Sequence, residues 1–372
     1  VTLKPVCRIA DDRRVDGRWR LGYRPELDGL RAIAIAAVIG HHLNVPGMRG
    51  GFIGVDLFFV LSGFLITAVL LDELACNGRV SLPQFYRRRA LRLFPALGAM
   101  LLVIGVIAAG VPGMAETRQA LPLIVLYVGN WWRAAGGNLG VLGHTWSLAV
   151  EEQFYLIWPL VLLALVGRRH DLHRALVVSG VLIVIVLVGR AAAWAGGASV
   201  NRLYNGTDSR ADALLVGCAL ALAYHFGLHV RVGRVLTAVA AAFLLTVVAA
   251  ASFNDGFLYW GGLTAVAVAS AILLIAVLEH RPAFLRSRPA VWVGRRSYGL
   301  YLWHLPLVRL LPDSWPTAGR AAVVIGTAVA AAALSYRLIE RPLLAVRRSP
   351  TALDGVRPPD AEPGAVPRVA LT

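Results

Sequence analysis

The sequence predicts an all-α polytopic membrane bundle: ten transmembrane helices and one non-spanning, re-entrant segment. Three observations predict it. Hydrophobic residues make up 58% of the 372, and mean hydropathy is +0.65, whereas soluble globular proteins are about 45–50% apolar. Apolar runs close to the roughly 20 residues that cross a bilayer recur along most of the chain. Basic residues gather at the ends of those runs, as the positive-inside rule describes.

Composition also excludes some classes. The net charge is +16 and the pI is near 10.9. No separate basic domain is present to meet a duplex, so the charge is read as membrane topology and no nucleic-acid partner is expected. Cys7, Cys76 and Cys218 are scattered and lack metal-ligand spacing, so neither a disulfide framework nor a metal site is expected. Residues 1–23 read as a basic cytoplasmic tail without a signal-peptide core. Residues 24–345 form the transmembrane domain, and 346–372, rich in Pro and polar residues, read as a disordered cytoplasmic tail.

Apolar runs fall at 27–45, 52–71, 93–111, 120–132, 147–166, 175–195, 210–226, 235–252, 258–278, 297–311 and 319–339. Charge removes one of the eleven. With the N-terminus inside, Arg87, Arg88, Arg89 and Arg92 follow the second run and lie inside. If 120–132 also spanned, Arg168–Arg174 and Arg281–Arg296 would fall outside, against the rule. That run is short and holds Pro122. Segment 112–146 is therefore expected to be non-spanning, buried in protein or lining a cavity, because irregular backbone cannot face lipid. Both termini then lie in the cytoplasm of a multi-pass cell-membrane protein.

Ionisable residues within spans are functional candidates by default. In LDGLRAIAIAAVIGHHL, Arg31 and His42 share a helix face about 16 Å apart along the axis. The inner cation suits an anionic donor, and the deeper imidazole suits proton chemistry. The structural alternative is a snorkelling Arg and a hydrogen-bonded core His. Asp56, about 6 Å below the outer end of the next span, is expected near the depth of His42 and could fix its tautomer. Ser62, near mid-membrane, is read as a small packing residue on the cavity side rather than a nucleophile. Arg89 and Arg92 share a face and, with Arg88, could clamp phosphate; topology accounts for part of that cluster. In GHTWSLAVEEQFYLIWPL, His144 and Trp146 are assigned to the cavity, and Glu151 is expected at His42 depth or paired with an Arg. Arg210 and Asp212 read as a local salt bridge or cap beside the cavity. Tyr298 and His304 in SYGLYLWHLPL are read as cavity-lining, and Glu340 is expected to pair with a basic neighbour before Pro342.

Taken in order, LDGLRAIAIAAVIGHH, GVDLFFVLSGFLIT, FYRRRALRLFP, HTWSLAVEEQFYLIWP, RADALLVGCALA, SYGLYLWHLPL and ERP resemble the acyltransferase-3 family of membrane-bound acyltransferases. The family's Arg/Lys-x10-His pattern falls on Arg31 and His42, not His41. Its Arg-Arg-x-x-Arg pattern falls on Arg88, Arg89 and Arg92, and its Trp-x-Leu-x-x-Glu pattern on Trp146, Leu148 and Glu151. The resemblance implies transfer of an acyl group, commonly acetyl, from cytoplasmic acyl-coenzyme A to a hydroxyl. The implied acceptors are bacterial saccharides, glycolipids or macrolides. Some members carry a fused extracytoplasmic domain; here the chain runs from Pro342 only to Thr372, so transfer through such a domain is not expected.

The resulting expectation has Arg31, Arg88, Arg89 and Arg92 holding coenzyme A and His42 acting as base or acyl relay, oriented by Asp56 or Glu151. The rival class is a transporter or flippase without covalent chemistry. Polar residues along a channel fit that class too.

Overall fold

In a computed structural model, residues 14–15, 18–19, 21–166, 171–228, 231–312 and 314–340 are described. Most of the N-terminal tail, Arg168–His170, Arg341–Pro342 and the tail from 346 lie outside the described residues, and the side chain of Glu340 does too. Residues 14–15 pair antiparallel with 18–19, and the rest of the secondary structure is helical.

The helices follow the apolar runs. The first three are α1 (Pro25–His42), α2 (Gly54–Asn77) and α3 (Leu82–Gly110). Short helices α4 (Ala115–Val125) and α5 (Gly129–Ala134) and a 3₁₀ turn at Gly140–Thr145 occupy the segment read as non-spanning. Then come α6 (Trp146–Val166), α7 (Leu172–Ala195), α8 (Val200–Asn205) and α9 (Thr207–His225). The last are α10 (Arg234–Ala250), α11 (Leu263–His280), α12 (Arg288–Arg295), α13 (Ser297–Leu310) and α14 (Thr317–Ser335).

Six helical stretches, at 51–77, 82–110, 140–166, 172–195, 258–280 and 318–338, are long and apolar enough to cross a membrane. The other four runs are helical but differ for physical reasons. α1 carries Glu26, Asp28 and Arg31, and α9 carries Asp208, Arg210 and Asp212. α10 has 17 residues and α13 has 14.

The charges of α1 are sequestered at its start. Asp28 accepts from Tyr23 Oη at 2.9 Å and lies 3.6 Å from Arg31 and 3.5 Å from Arg295. Glu26 lies 3.6 Å from Arg281. Gly294 of α12 sits against the Asp28 backbone, where a Cβ has no room.

Helices α2 and α9 pack closest. A Cβ on Gly63 would strike the Leu214 carbonyl, and one on Gly217 would strike the Val60 carbonyl. Small residues at both crossings let the backbones approach, which is how membrane helices gain packing energy. Pairs Asp56–Arg210 and Asp72–His225 run in the same order along both helices, so α2 and α9 are parallel. The substitution Gly63→Leu is expected to destabilise the protein by about 1–3 kcal/mol or more, because two backbones would have to separate. A thermal-unfolding midpoint in detergent equal to the parent's would contradict this.

The irregular backbone of 112–146 is tied to its neighbours by side chains. Gln153 Nε2 of α6 donates to Tyr127 O at 2.7 Å and to Asn130 Oδ1 at 2.9 Å. Arg118 donates to Ala108 O at 2.6 Å, and Arg133 donates to Gly143 O at 2.8 Å. These carbonyls are thus satisfied within protein, as an apolar solvent requires.

Candidate active site: two chambers sharing Tyr301

Two cavities lie along α1. Arg31 lines one, and Val38, His41 and His42 line the other. Tyr301 of α13 and Val55 of α2 border both.

The first cavity, about 370 Å³, is the arginine chamber. The start of α3 supplies Arg88, Arg89 and Arg92, and α2, α6 and α13 add Ser62, Glu151, Tyr155 and Tyr298. The Arg89 guanidinium lies 3.4 Å from the centroid of the Tyr155 ring, a cation–π contact. Arg89 Nε is buried without a hydrogen-bond partner among the described residues. Arg88 is held by Glu73 at 2.8 Å, so part of its charge is already matched. Ser62 Oγ donates to Glu151 Oε1, which also accepts from Tyr155 Oη at 3.0 Å. Tyr298 Oη donates to Leu93 O at 3.0 Å. A half-buried arginine with an unpartnered Nε, beside three more arginines, fits the phosphates of a nucleotide-bearing acyl donor. Glu151 is therefore a member of this chamber and not a neighbour of His42.

The second cavity, about 630 Å³, is the histidine chamber. His42 Nδ1 lies 2.9 Å from Val38 O and 3.3 Å from His304 Nε2. His304 Nδ1 lies 2.7 Å from Tyr301 O. Carbonyl oxygens only accept, so the protons of both rings belong on Nδ1. His304 Nε2 then carries a lone pair and faces the His42 Nδ1–H. The tautomer of His42 is set by this pair of acceptors, leaving Nε2 as its basic nitrogen. His304 is fully buried behind His42, with ring centroids 5.0 Å apart.

His144 closes the set. Its ring lies 5.3 Å from both the His304 and Tyr301 rings, and Nε2 donates to Leu302 O at 3.0 Å. Tyr301 Oη donates to His144 O at 2.9 Å and shares a 2.6 Å hydrogen bond with Ser147 Oγ. Trp146 lines the same chamber. Among the described residues, no group of three or more His, Cys, Asp or Glu could hold a metal ion.

Asp56 departs from its expected place. It does not orient His42: its Oδ1 accepts from Arg210 Nη2 at 2.9 Å, and both side chains are 1% exposed. Arg210 and Asp212 likewise do not pair locally. Asp212 is bound by Arg190 at 2.9 Å and accepts from Thr264 Oγ1 at 2.6 Å. The cause is the close α2–α9 contact. It turns Asp56 toward α9 and away from α1, while α7 brings Arg190 to the other side of α9. Histidines, not carboxylates, surround His42.

Sequence reasoning passed over Tyr301 as a divider, and over Arg133 and Arg309, which line the histidine chamber. A signal existed for Tyr301: it precedes His304 by three residues and so shares its helix face. Arg133 sits on a six-residue helix, too short for periodicity to assign it a face.

Fold and site define a polytopic helical membrane protein with a cationic chamber backed onto a histidine chamber. A model of the acyltransferase-3 family, described as an acyltransferase domain, matches residues 24–339, and the chain belongs to that family. A peptidoglycan O-acetyltransferase OatA of Listeria monocytogenes is 37% identical over 358 residues, covering 88% of this chain and 56% of the relative. The putative peptidoglycan O-acetyltransferase YrhL of Bacillus subtilis is 36% identical, covering 86% and 55%. An O-acetyltransferase OatA of Staphylococcus aureus is 34% identical, covering 90% and 59%. The chain thus spans between 55% and 59% of the length of these relatives. No solved structure gives a significant match.

Proposed function

We propose that this chain is a membrane O-acyltransferase. It moves an acetyl group from acyl-coenzyme A, bound in the arginine chamber, to a hydroxyl of a peptidoglycan-type saccharide in the histidine chamber. The observation that carries this reading is the shared wall: a chamber lined by four arginines and a chamber lined by His42 and His144 meet at Tyr301. The relatives' names supply the saccharide class. The basic residues at the start of α3 support an inner-face position for the arginine chamber, on the side of cytoplasmic coenzyme A.

In the reaction, the acceptor hydroxyl oxygen attacks the thioester carbonyl carbon. A C–O bond forms and the C–S bond breaks. The hydroxyl proton passes to His42 Nε2 and then to the departing thiolate. His42 Nδ1–H stays hydrogen-bonded to Val38 O and His304 throughout, which keeps the ring oriented as charge develops on it. Arg31, Arg88, Arg89 and Arg92 bind the donor's phosphates, and Ser62, Glu151 and Tyr298 line its path. Acyl relay through His42 itself uses the same nitrogen.

Labelled acetyl-coenzyme A and purified protein test this. Arg89→Ala should raise the KM for the donor about tenfold or more, because a charge-assisted contact to phosphate is lost. An unchanged KM would remove the phosphate-clamp assignment. Saccharide uptake into proteoliposomes without release of coenzyme A would favour the transporter class instead.

A further inference from the structure

The histidine chamber holds two cations that the proposed chemistry does not use. Arg133 lines it from α5, and Arg309 lines it from the far end of α13. Arg133 is pinned: its Nη1 donates to Gly143 O at 2.8 Å, and a Cβ at Gly143 would lie only 3.4 Å from that nitrogen. Burial holds the Arg133 guanidinium below its usual pKa, and the like charge of Arg309 adds to that effect.

Among the described residues, no carboxylate lies within 4.0 Å of either guanidinium. No described Asp or Glu lines the chamber, and the acids of α2 and α9 are committed elsewhere. Asp56 binds Arg210, Asp212 binds Arg190 and Asp208 binds Arg202. Arg309 also borders a smaller recess of about 290 Å³ that shares Asn138 and Gly140 with the chamber and is lined by Glu116. Glu116 accepts from Asn138 Nδ2 at 2.5 Å and forms no ion pair with Arg309. Two like charges therefore face one partly desolvated space, an arrangement an entering anion relieves.

The remaining walls suit a sugar. Phe52 and Phe253 stack at 4.1 Å, and Tyr204 packs edge-on against both. Asn201 and Asn254 present amides, which pair with hydroxyl groups. Aromatic faces with a few polar groups are the usual composition of a small-molecule site.

We propose that the acceptor is an acidic saccharide whose carboxylate is held between Arg133 and Arg309, with the hydroxyl to be acylated directed at His42. This rests on the reading of the histidine chamber as the acceptor site. A guanidinium pairs a carboxylate through two parallel N–H···O bonds, so a carboxylate fixes the orientation of the ring as well as its affinity.

The test uses the purified full chain in detergent and three probes: methyl glucoside, methyl glucuronide and glucose 1-phosphate. Binding is read by saturation-transfer NMR and titration, so it does not depend on turnover. The glucuronide should bind at least tenfold more tightly than the glucoside. Arg309→Gln, an exposed position that leaves the core intact, should reduce that preference about tenfold, and Arg133→Gln should do the same. Equal binding of glucuronide and glucoside, binding of neither, or a preference unchanged in Arg309→Gln would overturn the proposal. Tighter binding of the phosphate than of the glucuronide would overturn the carboxylate assignment. Coenzyme A binding is measured on the same wild-type preparation. Its absence sinks the acyl-transfer reading, whereas coenzyme A binding without discrimination between glycosides sinks only the acidic acceptor.

Discussion

Replacing His42 with Gln is expected to lower acyl transfer about 10²–10⁴-fold, the usual contribution of a positioned general base. The glutamine amide can still donate to Val38 O, so the local backbone should persist, but it has no nitrogen that accepts a proton at neutral pH. Affinity for acyl-coenzyme A should stay near the parent value, because the donor's phosphates are assigned to the arginine chamber. A loss in kcat with little change in donor KM is therefore the expected signature. His304→Gln should produce a smaller loss, since it acts only through the hydrogen bond that orients His42. Full turnover by His42→Gln would remove His42 from the chemistry.

The second large effect concerns stability. Asp56→Ala is expected to cost about 3–5 kcal/mol, because it leaves Arg210 charged and buried without its anion. The geometry permits no substitute. Arg210 is 1% exposed and lies over the rings of Tyr204, Trp146 and Phe59 at 4.7, 5.7 and 5.9 Å. Those faces attract the cation but cannot replace a carboxylate. The neighbouring acid, Asp212, is already bound by Arg190 and Thr264. Arg210→Ala should be equally harmful, since it strands Asp56. The double substitution Asp56→Leu with Arg210→Met should recover most of the loss, because an apolar pair of similar volume removes both desolvation costs. Thermal unfolding in detergent, compared across the two single variants and the double variant, measures the coupling. Single variants that melt with the parent would show that the pair does not hold α2 to α9.

These two residues show where the sequence stopped being informative. An α-helix fixes the depth of every side chain once its ends are known, at about 1.5 Å per residue. The separation of Arg31 from His42 along α1 was therefore readable, and the structure puts them in consecutive chambers. The positions of the helices were readable for the same reason, since bilayer thickness sets run length. Pro122 and the brevity of the run pointed to a segment that does not span, but not to the short helices found there.

Which way a helix is rotated toward its neighbours was not readable. Counting along the helices put His42, Asp56 and Glu151 at similar depths, which suggested that they meet. They do not. Asp56 turns to Arg210, 154 positions away, and Glu151 turns to Ser62, 89 positions away. His42 meets His304 across 262 positions. What the sequence by itself determined was the helical membrane class, the order of the helices, and the position of each charge along its own helix. What only the tertiary structure decided was partnership. It depends on which helices are adjacent and how closely they approach, and Gly63 and Gly217 set that approach for α2 and α9 through backbone contact. Periodicity places a residue on a helix, but only packing chooses the neighbour it faces.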